Sequence, residues 1–116
     1  MRFGLEESTI ARIVAVFRAH PLVEEVIIYG SRAMECHKPG SDIDLTLKGE
    51  KITLQELNKM AVALDDLLLP YTFDLSAYRQ IDNQELLEHI KRVGKSLHKK
   101  QRPGTKKSRS KRQTTR

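Results

Sequence analysis

Apolar residues recur along this chain with two different periods, and the switches between them mark the elements. Ile10, Ile13, Val14 and Phe17 fall at i, i+3, i+4 and i+7, one face of a helix. Ser8 is its expected N-cap, and His20-Pro21 its end. Val26-Ile27-Ile28-Tyr29 is a continuous apolar run closed by Gly30, which predicts a buried central strand. From Ser41 the period drops to two. Ile43, Leu45 and Leu47 take one face, and Asp42, Asp44 and Thr46 the other. That strand has a core side and a chemical side.

Lys48-Gly49-Glu50 reads as a turn, and Thr53-Leu54-Gln55-Glu56 as a capping box. Leu54, Leu57, Ala61, Leu64 and Leu68 follow at helical spacing until Pro70. Tyr71 to Ala77 alternates again, with Phe73, Leu75 and Ala77 opposite Thr72, Asp74 and Ser76. Asp82 is the expected cap of a last helix, with Glu85 three residues on and an Ile81–Leu86 staple. Its stripe is Leu86, Ile90, Val93 and Leu97. The predicted order is α-β-α-β-α-β-α, the second helix being a short one in the loop after Gly30. Three strands carrying helices on one face make a small α/β core. No internal repeat is present.

Composition sharpens this in three ways. At 116 residues, with no Trp, three Phe and three Tyr, the chain holds at most one small domain filled by Leu, Ile and Val. The net charge of +6 is uneven. Residues 99–116 hold nine Lys or Arg and no acid, while residues 1–98 hold twelve basic against fifteen acidic residues. The expected organisation is therefore a mildly acidic domain, 1–98, and a disordered basic tail, 99–116. The tail is either a solubilising end or an arm with weak, non-specific affinity for nucleic acid; no aromatic residue interleaves its charges to stack on bases. The single cysteine, Cys36, excludes an internal disulfide framework. No apolar run reaches the length of a membrane span, and no signal-peptide pattern opens the chain, so a cytoplasmic protein is expected.

The chemistry concentrates in Gly30-Ser31-Arg32 and Ser41-Asp42-Ile43-Asp44-Leu45. Two carboxylates at i and i+2 of a strand project side by side, which is costly unless a cation neutralises them. Asp74 lies on the polar side of its own strand and joins them if the two strands are neighbours. Hard oxygen ligands suit Mg²⁺, and a pair of such ions clamps the attacking and leaving oxygens of an in-line displacement. Gly30 allows a phosphate to approach the backbone, Ser31 offers a hydroxyl, and Arg32 a charge-assisted bond to phosphate. Ser41 joins the same nucleotide-binding set. For the aspartates the plain alternative is a solvated strand face; for Ser31 it is a helix cap without a ligand. Cys36-His37 is a poor zinc site, having no distant partner ligands. His20, His89 and His98 form no constellation.

The spacing G-S-R-A-x(7)-S-D-I-D-L with a later F-D-L resembles the minimal nucleotidyltransferases of the DNA polymerase beta-like superfamily, over roughly residues 8–98. Gly30, Ser31, Asp42, Asp44 and Asp74 match that family's motif position by position. The resemblance implies the minimal nucleotidyltransferase fold, with a small three-stranded mixed sheet. It also implies an ATP-dependent enzyme using Mg²⁺, with Asp42, Asp44 and Asp74 as catalytic metal ligands. The closing helix, with its I-K-R-V-G-K segment, resembles the MNT subgroup, the MntA-type antitoxins of HEPN/MNT toxin–antitoxin modules. For such a protein the resemblance implies a hetero-oligomer with a HEPN-domain toxin and transfer of AMP onto a tyrosine of it. A non-catalytic toxin-binding antitoxin and a small-molecule (antibiotic) nucleotidyltransferase are the competing readings. The loop Met34–Gly40 has a single cation, Lys38, where family members often carry further Arg.

Overall fold

The structure, a computed structural model, describes residues 1–38 and 40–100. Its elements are α1 (Glu7–Arg18), β1 (Glu25–Tyr29), α2 (Gly30–Ala33), β2 (Ile43–Lys48), α3 (Leu54–Asp65), β3 (Phe73–Ala77), a 3₁₀ turn (Tyr78–Gln80), α4 (Gln84–Val93) and β4 (Lys95–Lys99). The α/β class and the expected order of elements stand as far as α4.

The sheet has four strands rather than three, in the order β3-β2-β1-β4. The helical stripe expected to run on to Leu97 stops at Gly94, whose backbone is extended (φ −61°, ψ 143°). A Cβ there would lie 2.4 Å from the Ile90 carbonyl oxygen and 2.8 Å from Ile27 Cγ2. Glycine thus lets α4 close tightly onto β1 before the chain turns back. Lys95-Ser96-Leu97-His98-Lys99 then pairs antiparallel with β1, with an irregularity between Val26 and Ile27. Lysines at both ends of this edge strand discourage pairing with another chain. Lys99 therefore belongs to the sheet, and the Lys100 N–H donates to the Glu24 carbonyl at 2.8 Å. The remainder of the expected tail, residues 101–116, lies outside the described residues.

Helices cover both faces, not one. On the first face the alternating positions of β1 and β2 meet α1 and α3. Ile10, Ile13 and Phe17 of α1 and Leu57, Met60 and Leu64 of α3 pack with Val26, Ile28, Ile43, Leu45 and Leu47. On the second face Ile90 of α4 packs on Ile27 and Tyr29, with Tyr78, Ile81 and Leu86 around them. The charged and polar positions of β2 and β3 share this second face.

The expected helix starts held to within two residues. Thr53 caps α3 as expected, accepting from the Glu56 N–H at 3.3 Å. Asn83, not Asp82, caps α4 and accepts from the Leu86 N–H at 3.0 Å. Helix α1 starts at Glu7, ahead of Ser8, with no side-chain cap. Helix α3 ends at Asp65, so Leu68 lies outside the stripe, left-handed (φ +57°) and 88% exposed. Leu54 is also exposed. An unexpected turn opens the chain: Phe3 and Gly4 both have positive φ, Arg2 bridges Leu5, and Phe3 and Leu5 are buried. No helix among the described residues is long and apolar enough to cross a membrane.

Candidate active site

Strand register brings the site together. Tyr29, the last residue of β1, is opposite Asp44 of β2, and Asp44 is opposite Asp74 of β3. Because β2 and β3 run parallel and in step, the second and third carboxylates are direct neighbours on the second face. Asp42 precedes β2 by one residue and, two positions before Asp44, shares its side. Its Oδ1 accepts a hydrogen bond from the Thr72 hydroxyl. Asp42 and Asp74 are exposed, and Asp44 is half-buried.

This crowding has an electrostatic signature. The Asp44 carboxyl is pushed above the usual carboxylate range, first by burial and then by the charges of Asp74 and Asp42. The Tyr29 phenol is also raised, chiefly by burial, with Asp74 and Asp44 adding to the effect. A site that resists gaining negative charge is one that a divalent cation stabilises. Three carboxylates on one face supply the hard oxygen donors that Mg²⁺ takes. They are not already gathered: among the described residues no three His, Cys, Asp or Glu side chains close around a common point.

Gly30 lies against this cluster. Its φ is +76°, and a Cβ on it would meet Asp44 Oδ2 at 2.3 Å. Any side chain there would displace the carboxylate, so glycine is required on two counts. Ser31 follows, half-buried, in α2. Its hydroxyl makes no hydrogen bond among the described residues.

Arg32 and Ser41 are placed differently from expectation. The Arg32 side chain is only 2% exposed. Its Nη1 donates to the Phe3 carbonyl at 2.8 Å, while Nε and Nη2 donate to the Ser41 carbonyl at 3.1 and 3.0 Å. The Tyr71 ring stacks on the guanidinium, 5.1 Å from the ring centroid. Arg32 therefore ties the N-terminal turn to the loop before β2, with three of its five N–H donors on backbone carbonyls. The Ser41 hydroxyl accepts from the Lys38 N–H at 2.9 Å, so it too is engaged in shaping the loop.

His89 is the residue that sequence reasoning missed. Its Nε2 accepts the Gly30 N–H at 3.1 Å, and its ring stands edge-on to Tyr29 at 6.2 Å. A signal existed: His89 is three residues after Leu86 and adjacent to Ile90, on the apolar side of α4. A polar residue there must find a partner on the sheet. Cys36 is exposed, and the adjacent His37 Nδ1 is buried without a hydrogen-bond partner.

This fold, with carboxylates on adjacent strands beside a glycine turn, defines a class. The sequence profile of the polymerase beta nucleotidyltransferase family matches residues 11–103, and the chain belongs to that family. Solved structures share the fold at low identity. A toxin–antitoxin structure with AMP-PNP superposes with a TM-score of 0.66 at 21% identity, covering 79% of this chain and 74% of that one. The toxin–antitoxin MntA-HepT gives 0.63 at 18%, covering 82% and 74%. The tri-AMPylated HEPN toxin of Shewanella oneidensis in complex with its MNT antitoxin gives 0.63 at 18%, covering 83% and 74%. No curated protein matches.

Proposed function

We propose that this chain is the antitoxin of a toxin–antitoxin pair, a nucleotidyltransferase that moves AMP from ATP to a tyrosine hydroxyl of a HEPN-domain toxin. The observation that carries the chemistry is the in-register neighbourhood of Asp44 and Asp74, with Gly30 closed against Asp44. Family membership supports the reaction class, and the complexes that share the fold support the partner and the nucleotide.

Asp42, Asp44 and Asp74 would hold Mg²⁺, two ions by the usual arrangement, whose chemistry is to neutralise the phosphates and acidify the acceptor hydroxyl. The residues themselves do the rest. Gly30 leaves room for phosphate at the backbone, and Ser31 holds the triphosphate through its hydroxyl. Asp74, exposed on β3 beside Asp44, accepts the proton of the acceptor hydroxyl. The acceptor oxygen bonds to the α-phosphorus, the α–β bridging P–O bond breaks, and pyrophosphate departs with that electron pair. A protein partner supplies the acceptor hydroxyl.

Incubation with labelled ATP, Mg²⁺ and the HEPN partner, followed by intact-mass analysis, tests this. The partner gains one or more AMP units with the native chain and none with Asp42→Asn/Asp44→Asn. Transfer by a folded double variant would sink the assignment. A stable complex without transfer by the native chain would replace it with neutralisation by binding alone.

A further inference from the structure

Helix α4 reaches the site through one polar side chain, and that contact constrains how the nucleotide is held. The Gly30 N–H is directed at His89 Nε2. An amide proton shared with an imidazole is not free for phosphate, so Gly30 serves by its lack of a side chain and Ser31 is left as the donor of the turn. The acceptor role fixes the tautomer: Nε2 is unprotonated and the proton is on Nδ1. The helix is held rigidly behind the ring. Asn83 caps its start, Ile90 is buried on Ile27 and Tyr29, and Gly94 closes it against β1.

We propose that His89 is a positioning residue for nucleotide binding: by accepting the Gly30 N–H it fixes the peptide plane from which Ser31 projects, and so sets the triphosphate relative to Asp44. The proposal rests on the reading of the site as an ATP site. Its consequence is specific to the nucleotide. Loss of the bond lets the Gly30–Ser31 turn rotate, and binding of ATP suffers before the chemistry does.

The test uses the full chain and three variants, H89Q, H89L and H89N. Glutamine places its amide oxygen near the Nε2 position, leucine keeps bulk without an acceptor, and asparagine is too short to reach. The readouts are Kd for a fluorescent non-hydrolysable ATP analogue with Mg²⁺, KM and kcat for transfer, and melting temperature. H89L and H89N are expected to raise Kd and KM about tenfold with kcat within about twofold, the size of one lost hydrogen bond, and H89Q to recover most of the affinity. Undiminished analogue binding by folded H89L overturns the proposal. So does H89Q binding as weakly as H89L, which would assign His89 to packing alone. Failure of the native chain to bind the analogue would overturn the ATP-site reading itself, a result distinct from either.

Discussion

Asp44 is neighboured by charge and Gly30 by the same carboxylate, and each fact has a measurable consequence. Since the folded state holds the Asp44 proton more tightly than the unfolded chain does, stability falls as pH rises through the raised value. Asp44→Asn removes that penalty. The variant is expected to melt a few degrees above the native protein at pH 7 without divalent ions. The gap should close as pH falls below the unfolded carboxylate value of about 3.9, and should narrow at pH 7 when Mg²⁺ is added, all read by calorimetry. Gly30→Ala places a side chain at a left-handed position facing Asp44 Oδ2. It is expected to lower stability by roughly 1–3 kcal/mol and transfer by about a hundredfold, because the carboxylate must shift. Arg32→Met leaves the Phe3 and Ser41 carbonyls without their donor, and a loss of roughly 3 kcal/mol is expected as a lower urea midpoint. Arg32→Lys should not restore it, since one ammonium does not bridge both carbonyls as the planar fork does.

At the scale of elements, what the sequence disclosed and what it concealed divide by range. Period-two alternation in residues 42–47 and 72–77 placed Asp42, Asp44 and Asp74 on polar faces without knowledge of pairing. Thr53 announced its own helix. These are local rules, satisfied by near neighbours. Strand β4 could not be read this way. Lys95-Ser96-Leu97-His98-Lys99 has one apolar residue, and it fell in phase with the stripe of α4; only the close approach of Gly94 to Ile27 shows where the helix must stop. His89 and the buried Arg32 were hidden for the same reason: their partners, Gly30 and Phe3, are far away in sequence. The place of Arg32 beside Gly30-Ser31 suggested a phosphate contact, and the fold sets three of its donors on the Phe3 and Ser41 carbonyls. The hidden strand has a test of its own. A chain ending at Gly94 leaves the apolar β1 as a bare edge, and size-exclusion chromatography with light scattering should show self-association that the native chain lacks.

Across the whole molecule, the carboxylate cluster and the main group of basic residues lie at opposite ends of β1. The carboxylates stand where β1 ends, while Arg18, His20, His98, Lys99 and Lys100 line a cavity of about 580 Å³ near where β1 begins. Burial and the Arg18 charge hold the His98 imidazole below its ordinary value, the opposite of the trend at Asp44. At the carboxylate end Asp42 and Asp74 are exposed.

The pairing of β1 with β4 joins residues near 25 to residues near 99. During synthesis the central strand is made early, yet its outer edge has no mate until nearly the whole described chain has left the ribosome. β2 can zip onto the inner edge and set Asp44 beside Gly30 long before that. The carboxylate-bearing half of the domain can therefore take shape in a nascent chain whose central strand still has an open edge, and the last few lysine-bearing residues are what cover it.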